Sequence, residues 1–207
     1  MNRYLILVVL WLLYGLIHSL FAANRTKNLF LGFMGIWFRY YRLIYSTLAV
    51  ILLMPILWYQ SILPQHMMYR PQPFTILIGL FLAASGIMIV KISFGYYDLR
   101  EFLGMYQVKG LSWEGPLRTE GILSKVRHPL YSGSILGLIG YLIFAPSITN
   151  LVMAITLILY FMIGIHFEEK KLIQEFGDQY REYRHRVPSL IPGLKNIFNK
   201  SRNPKKD

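Results

Sequence analysis

The sequence predicts an all-α fold, a polytopic membrane helical bundle of about five transmembrane helices followed by an amphipathic C-terminal helix on the cytoplasmic side. Three observations predict it. Hydrophobic residues make up 55% of the 207 residues and charged residues only 15%, whereas soluble domains carry roughly a quarter charged residues. The apolar residues lie in long runs, and about 20 such residues cross a bilayer. Most basic residues follow alternate runs, on one side of the predicted membrane.

The apolar runs place the spans in order. The first span is predicted from Tyr4 to Ala23 and contains no charged residue. A secretory signal peptide is the alternative, but its apolar region would be shorter and would end at a small-residue cleavage site. The other spans are predicted at residues 43–63, with a kink at Pro55, and at residues 74–90, 131–144 and 148–167. A turn at residues 145–147 joins the last two spans into a helical hairpin.

The segment after the last span, Glu168 to Val187, is predicted to form one amphipathic helix. Apolar and aromatic residues recur at steps of three or four along one face: Leu172, Phe176, Tyr180, Tyr183 and Val187. Gly177 weakens this helix locally, and the prolines at 188 and 192 end it. The chain is therefore predicted to be a single transmembrane domain over residues 1–194, followed by a basic, flexible tail over residues 195–207.

The basic residues predict the orientation. Twenty of the 22 Lys and Arg residues follow the first, third or fifth span, and only Arg3 and Arg70 lie on the other side. The positive-inside rule makes the first group cytoplasmic, with the N-terminus outside and the C-terminus inside a bacterial inner membrane. A net charge of +12 would suggest nucleic acid for a soluble protein. Basic residues that flank apolar spans instead predict the lipid bilayer as the partner, and no nucleic acid.

Acidic residues indicate where a site could lie. Nine of the ten fall in two segments on the predicted cytoplasmic side, residues 98–120 and 168–182. A site there would take a polar cofactor from water and an apolar substrate from lipid. The chain has no cysteine, which excludes thiolate metal sites and a cysteine nucleophile, and no metal site is predicted. It also has no GxGxxG, H-E-x-x-H or serine elbow.

Two short motifs are candidates for this site, and both have simpler alternatives. In residues 127–133, Pro129 predicts a helix start whose free N–H groups suit a carboxylate, and Arg127 adds a cation. The alternative is an arginine that reaches lipid headgroups. Glu168 and Glu169 would be stabilised by a positively charged ligand, or by pairing with Lys171, Lys125 or Arg127. His18, inside the first span, is either a functional residue or a neutral histidine bonded to a neighbouring helix.

These motifs belong to a longer pattern of about 65 residues: Arg127-His128-Pro129-x-Tyr131-x-Gly133, a helical hairpin, and Glu168-Glu169-x-x-Leu172-x-x-x-Phe176-Gly177-x-x-Tyr180-x-x-Tyr183-x-x-x-Val187-Pro188-x-x-Ile191-Pro192. The pattern resembles the C-terminal half of the isoprenylcysteine carboxyl methyltransferase and phospholipid methyltransferase superfamily. Residues 11–19 and 97–104 look like its bacterial branch, which includes methanethiol S-methyltransferase and NnrU-like proteins. The resemblance implies an S-adenosyl-L-methionine-dependent membrane methyltransferase. Its acceptor would be small and apolar or lipid-like, a thiol first, with an amine or a carboxylate as alternatives.

The resemblance also implies roles for individual residues. The cofactor-binding set is Arg127, His128, Pro129, Tyr131, Gly133, Glu168, Tyr180 and Tyr183. Within it, Arg127 suits the methionine carboxylate, Glu168 the cationic end, and the two tyrosines the adenine. His128 and Glu169 are the predicted catalytic residues, as bases for a thiol or amine acceptor. Glu168, four residues before Leu172, is predicted on the inward stripe, with Glu169 beside it.

The sequence departs from the family pattern at two positions, and two alternative functions are considered. Residues 121–123 read Gly-Ile-Leu where relatives often have Gly-x-Tyr, so one aromatic contact to the cofactor is missing or replaced. Gly164 stands where prenylcysteine enzymes carry an arginine, with His166 the nearest polar group, which argues against a prenylcysteine carboxylate as the substrate.

Two other functions are alternatives to a methyltransferase. One is an NADPH-dependent membrane reductase, since sterol reductases share Arg-His-Pro-x-Tyr, and the other is a non-enzymatic membrane subunit. The sequence carries no signal for the oligomeric state.

Overall fold

The computed structural model describes residues 2–96 and 116–193, so the predicted tail and the motif at residues 97–104 lie outside the described part. The described helices are α1 (Arg3–Ala22), α2 (Asn24–Met34), α3 (Tyr41–Ile62), α4 (Pro73–Phe94), α5 (Pro129–Phe144), α6 (Ile148–Phe176) and α7 (Asp178–Arg186), with 3-10 turns at Gly35–Tyr40 and Gly121–Ser124. Within these residues there is no β-strand, only an isolated bridge between Met67 and Ser147. The predicted all-α membrane bundle is confirmed.

Five helices, α1, α3, α4, α5 and α6, correspond to the five predicted spans. Hydrogen bonds between α1 and α3 at opposite ends of the bundle show that these two helices run antiparallel. Four of the five, α1, α3, α4 and α6, are long and apolar enough to cross a bilayer. α5 has 16 residues and extends about 24 Å. At one end of the bundle the Tyr59 hydroxyl donates to the Arg3 carbonyl at 3.3 Å. At the other end the Tyr41 hydroxyl donates to the Phe21 carbonyl at 2.7 Å. The chain is therefore a multi-pass integral membrane protein.

The helical hairpin of α5 and α6 begins and turns as the sequence predicted. Pro129 is the first residue of α5, and His128 before it is non-helical, at φ −122° and ψ 63°. Ser147 caps α6 by accepting a hydrogen bond from the Asn150 N–H. The Asn150 side chain donates to the Ala145 carbonyl at 2.8 Å. These contacts provide hydrogen-bond partners for backbone groups of the turn, and they hold the two helices antiparallel.

Glycines allow α4 and α5 to pack backbone against backbone. A Cβ atom added to Gly86 would lie 2.5 Å from the Gly133 carbonyl oxygen, and one added to Gly140 would lie 2.3 Å from the Ala83 nitrogen. Apolar side chains gain little by leaving lipid, so such close van der Waals contact is what joins transmembrane helices. Because α5 begins just after Arg127 and His128, this packing positions the candidate site.

The prediction of one amphipathic helix from Glu168 to Val187 is wrong. α6 runs without interruption from the fifth span to Phe176, and the chain turns at Gly177, whose φ is +56°. Such a backbone conformation is easily reached only by glycine, which commonly ends helices in this way. α7 then runs in a new direction from Asp178 to Arg186. The turn brings side chains of α7 back towards the end of α6.

Residues 24–40 form an excursion between the first two spans, where the sequence analysis predicted no helix. α2 and the following 3-10 turn occupy most of it, and Gly35 at φ +52° separates them. The Phe30 ring lies 5.9 Å from Phe21 and 5.3 Å from Tyr41, between ring centroids. Since Tyr41 is also bonded to Phe21, the excursion leaves and returns at the same end of the bundle. We call this end, which carries residues 21–42, 116–132 and 168–193, the basic end.

His18 forms a hydrogen bond with a neighbouring helix. The Tyr45 hydroxyl of α3 lies 2.8 Å from its Nε2 atom. The two rings are 5.1 Å apart between centroids. This contact agrees with the second of the two interpretations of His18, a polar residue that joins two spans.

Candidate active site

A cavity of about 250 Å³ opens at the basic end between the end of α4, the chain before α5, the end of α6, and α7. Its wall carries charges of both signs, from Arg118, Arg127, Lys171, Glu168 and Glu175. It also carries four aromatic rings, from Tyr96, Phe176, Tyr180 and Tyr183. Ligand pockets typically combine apolar and aromatic walls with a few polar groups. This wall suits a zwitterionic ligand that has an aromatic part.

Beneath the cavity lies a buried ion pair between Arg127 and Glu169. The arginine Nε donates to the glutamate Oε1 at 2.9 Å, and Nη2 donates to the same oxygen. The two side chains are 7% and 11% exposed. Arg184 adds a contact from its Nε to Oε2 at 3.1 Å. Burial alone would raise the pKa of Glu169, but hydrogen bonds from His128 and Arg127 and the arginine charges lower this pKa to about 2.

Arg127 also fastens the chain after α7 to the start of α5. Its Nη1 donates to the carbonyls of Arg184 and Val187, and its backbone N–H donates to the Pro188 carbonyl at 2.9 Å. The His128 N–H donates to the Ser189 carbonyl at 3.0 Å. Four of the five N–H groups of the guanidinium are thus used within the protein. Arg127 is the centre of the polar framework that closes this end of the cavity.

His128 lies between the two glutamates and is 2% exposed. Its Nε2 is 3.3 Å from Glu169 Oε1, and its Nδ1 is 3.8 Å from Glu168 Oε2. Glu168 is 37% exposed and lines the cavity. Glu169 is therefore the buried glutamate, whereas Glu168 faces the cavity together with Leu172 and Phe176 of the predicted stripe.

The two tyrosines of α7 pack edge to face, with 5.8 Å between ring centroids. The Tyr183 hydroxyl donates to the Leu123 carbonyl at 2.7 Å, which holds its ring at the cavity wall. The Tyr180 hydroxyl is buried and has no hydrogen-bond partner among the described residues. Burial and the nearby Glu169 charge raise the pKa of Tyr180 to about 12. A buried hydroxyl without a partner is costly, and a polar ligand in the cavity would supply one.

The family described as phospholipid methyltransferase matches residues 74–179, just over half of the chain. The chain belongs to this family. The matched region runs from the start of α4 to the start of α7 and so contains the Arg127 motif and both glutamates. The protein is a membrane methyltransferase.

Curated relatives of this methyltransferase carry two related names. It is 29% identical over 197 residues to methanethiol S-methyltransferase 1 of Bradyrhizobium diazoefficiens, an alignment that covers 92% of this chain and 67% of the relative. It is 26% identical to methanethiol S-methyltransferase of Pseudomonas sp. (strain GM41(2012)), over 89% of this chain and 71% of the relative. It is 38% identical over 77 residues to protein-S-isoprenylcysteine O-methyltransferase of Schizosaccharomyces pombe, which covers 37% and 33% of the two chains. No solved structure matches the chain.

Tyr96 is a cavity residue of this methyltransferase that the sequence analysis missed. Its ring occupies the space beside Gly121, where an added Cβ would lie 2.2 Å from the ring. Gly121 has φ +58° and opens the 3-10 turn that carries Leu123 to the cavity. Tyr96 therefore supplies an aromatic wall next to the Gly-Ile-Leu departure. The family spacing pointed to a missing ring, but only the folded chain identifies its neighbour.

Four of the eight predicted cofactor-binding residues line the cavity, namely Arg127, Glu168, Tyr180 and Tyr183. The others lie nearby in different surroundings. Pro129 and His128 are buried at the start of α5. Tyr131 packs between His128 and Phe161, at centroid distances of 5.9 and 5.5 Å. Gly133 packs against the backbone of Gly86.

Proposed function

We propose that this methyltransferase transfers the methyl group of S-adenosyl-L-methionine to a small apolar thiol, with methanethiol as the first acceptor to test. The observation that carries the proposal is a cavity whose wall holds charges of both signs and four aromatic rings at the basic end. Methionine in its zwitterionic form, a sulfonium and an adenine need those kinds of group. The thiol comes from the names of the relatives with the longest coverage.

The cavity residues divide by charge and shape among the parts of the cofactor. Glu168 is proposed to face the cationic end, because it is the cavity glutamate closest to His128. Arg118 and the remaining N–H of Arg127 are proposed for the methionine carboxylate. Tyr180 and Tyr183 are proposed to cover the adenine. Bound there, the cofactor supplies an electrophilic methyl group on a sulfonium.

As the acceptor sulfur would bond the methyl carbon, the methyl–sulfonium bond would break and the demethylated donor would leave as a neutral thioether, so a thiol acceptor must lose its proton. His128 is proposed as the proton acceptor, and Glu169 as the residue that orients its ring through the 3.3 Å contact at Nε2. Glu169 itself binds a proton weakly, because its pKa is about 2. Even the cysteine thiol, with a pKa of about 8.5, is mostly protonated at neutral pH, and a simple alkyl thiol is a weaker acid, so a positioned base matters for the rate.

The function is tested with purified protein, methyl-labelled S-adenosyl-L-methionine and three acceptors, namely methanethiol, a small primary amine and a small carboxylic acid. We expect label in a volatile thioether from the thiol, and little or none in the other two products. Label in the amine or acid product would assign a different acceptor. Cofactor binding without any turnover would support a non-enzymatic subunit. Stabilisation by NADPH and not by S-adenosyl-L-methionine would support a reductase.

Replacing Glu168 by Gln is expected to weaken cofactor binding. The substitution keeps the shape and removes the negative charge, and hydrogen bonds to charged groups contribute about 1.5–3 kcal/mol. The affinity for S-adenosyl-L-methionine, measured by calorimetry in detergent, should fall about tenfold or more. Glu182→Gln is the matched control, because Glu182 is 72% exposed and pairs with Arg186 four residues on, at 3.8 Å. Equal affinities for the two variants would remove Glu168 from the site.

The basic end is proposed to face the cytoplasm of a bacterial cell, with residues 1–194 as one transmembrane domain. The partition of the basic residues supports this orientation. The chain has no cysteine, so Gln65→Cys and Gln179→Cys introduce single thiols at exposed positions near opposite ends of the bundle. A membrane-impermeant thiol reagent should label the first variant in intact cells and the second only after lysis. The opposite result would invert the topology.

A further inference from the structure

Residues 24–40 are not part of a membrane span, because the helical stretch they belong to is longer than a bilayer and because the chain before and after them is held together. Together with α3 they form a helical stretch of 38 residues, Arg25–Ile62, which as one straight helix would extend about 57 Å against a hydrocarbon core of about 30 Å. The 2.7 Å bond from Tyr41 to Phe21 brings the two ends of residues 24–40 together. Residues 24–40 therefore lie across the basic end, at the level where α1 ends and α3 begins.

One face of this excursion is apolar and uncovered. Leu29 and Phe33 are one helical turn apart in α2, and Ile36 and Trp37 follow another turn on. These four side chains are between 63% and 89% exposed. Phe30, on another face, holds α2 against Phe21 and Tyr41. An apolar stripe with a tryptophan at the end of a membrane bundle is suited to the boundary between headgroups and acyl chains.

The charges of the same segment are all positive. Residues 24–42 contain four basic residues and no acidic residue. Lys27 is half-buried and experiences repulsion from Lys171 of α6 and Arg42 of α3. Neither Lys27 nor Lys171 has an ion pair with an acidic side chain in the part of the chain that the structure describes. Two lysines held near each other, with no ion-paired carboxylate among the described residues, favour binding of an anion.

We propose that residues 24–40 lie in the plane of the membrane as an interfacial element, and that Lys27 and Lys171 bind the phosphate of an anionic phospholipid headgroup beside it. The apolar stripe sets the depth of the element, and the lysines select the headgroup charge. An anionic lipid fits better than a free anion because Lys27 belongs to the same element as the apolar stripe, and basic residues near an anionic membrane surface are attracted to it.

The proposed lipid site borders the candidate active site, because Lys171 also lines the cavity. Its neighbour Lys170 points elsewhere on α6, with its ammonium 6.0 Å from the Phe167 ring centroid. Adjacent helical residues diverge by about 100°, so the two lysines sample different surroundings. Lys170 is therefore a matched control for Lys171, with the same change of charge on the same helix.

The test measures lipid binding to the full-length chain without the methyl donor, so it is independent of the proposed reaction. Purified protein in neutral detergent is titrated with phosphatidylglycerol, phosphatidylcholine or inorganic phosphate, and melting temperature and retained lipid are recorded, the latter by native mass spectrometry. Phosphatidylglycerol should stabilise the parent and remain bound, and the other two should not. Lys27→Gln and Lys171→Gln should each weaken this binding about fivefold. Lys170→Gln and Lys27→Arg should leave it unchanged.

Three results would overturn the proposal. Equal stabilisation by phosphatidylcholine would show that no anion is recognised. Full stabilisation by inorganic phosphate would assign the site to a soluble anion. Unchanged phosphatidylglycerol binding in Lys27→Gln, when that variant melts like the parent without lipid, would remove Lys27 from any headgroup site. If Lys171→Gln weakens S-adenosyl-L-methionine binding and not lipid binding, Lys171 belongs to the cofactor cavity alone.

Discussion

Alanine in place of Gly86 or Gly140 is expected to destabilise the bundle more than most single methyl groups would. The added Cβ would lie 2.5 Å from the Gly133 carbonyl oxygen in the first variant and 2.3 Å from the Ala83 nitrogen in the second. These are backbone atoms, so the clash cannot be relieved by a side-chain rotation. The helices must separate, and overpacking of this kind costs about 1–3 kcal/mol or more. Thermal unfolding in detergent should show the loss as a lower melting temperature.

Gly137→Ala is the matched control for this prediction. Gly137 lies on α5 between Gly133 and Gly140, yet a Cβ added there meets nothing within 4 Å. The same methyl group should therefore be neutral, or stabilise by up to about 1 kcal/mol, because alanine is the better helix former. Equal losses at positions 86, 137 and 140 would indicate that the close contact of α4 and α5 is not specific. A loss at 86 and 140 alone would support it.

The spans could be predicted from sequence because transfer from water to lipid is a property of single residues. An apolar run of about 20 residues is stable in a bilayer wherever it lies in the fold. The start of α5 was also local, since Pro129 restricts the residue before it and suits the first helical turn. The turn at residues 145–147 followed in the same way from its proline and its serine cap. None of these elements depends on a distant part of the chain.

The features that were missed depend on contacts between distant residues. The pairing of Gly86 with Gly133 joins positions 47 apart, and a glycine in an apolar run does not reveal its partner. The excursion of residues 24–40 is held by rings on α1 and α3. The helix break at Gly177 was treated as a weakness because no local signal distinguishes a tolerated glycine from a left-handed one.

The candidate site contains features of both kinds, some predictable from local sequence and some that depend on distant contacts. The sequence analysis predicted that Arg127, His128 and the two glutamates lie in the same region. It gave Arg127 as one of three cations that could pair with the glutamates. The structure pairs it with Glu169. Which glutamate would be buried could not be predicted, since that depends on where the guanidinium lies after α7 has folded back. Arg184, the second cation on Glu169, was not considered because it lies beyond the turn at Gly177.

Replacing Arg127 by Met is expected to have the largest effect on stability of any single change at the site. The variant leaves the buried Glu169 carboxylate with the half-exposed Arg184 and the His128 ring, and it frees the carbonyls of Arg184 and Val187. Breaking a buried ion pair by removing one partner costs about 3–5 kcal/mol, most of it from the uncompensated charge. The melting temperature in detergent should fall sharply. The control Arg181→Met removes an ion pair that is 65% and 93% exposed, worth about 0–1 kcal/mol.

Two further measurements separate the buried charge from general damage at this position. In the double variant Arg127→Met/Glu169→Met no charge is left uncompensated, so much of the lost stability should return. The pH dependence should agree. In the parent, the pKa of Glu169 is lowered from 4.5 to about 2, so its stabilising contribution is complete above pH 4.5 and disappears as the pH falls towards 2. The gap in stability between the parent and Arg127→Met should therefore narrow over that range. A gap that is constant with pH, together with no recovery in the double variant, would mean that Arg127 acts through the backbone carbonyls it binds and not through Glu169.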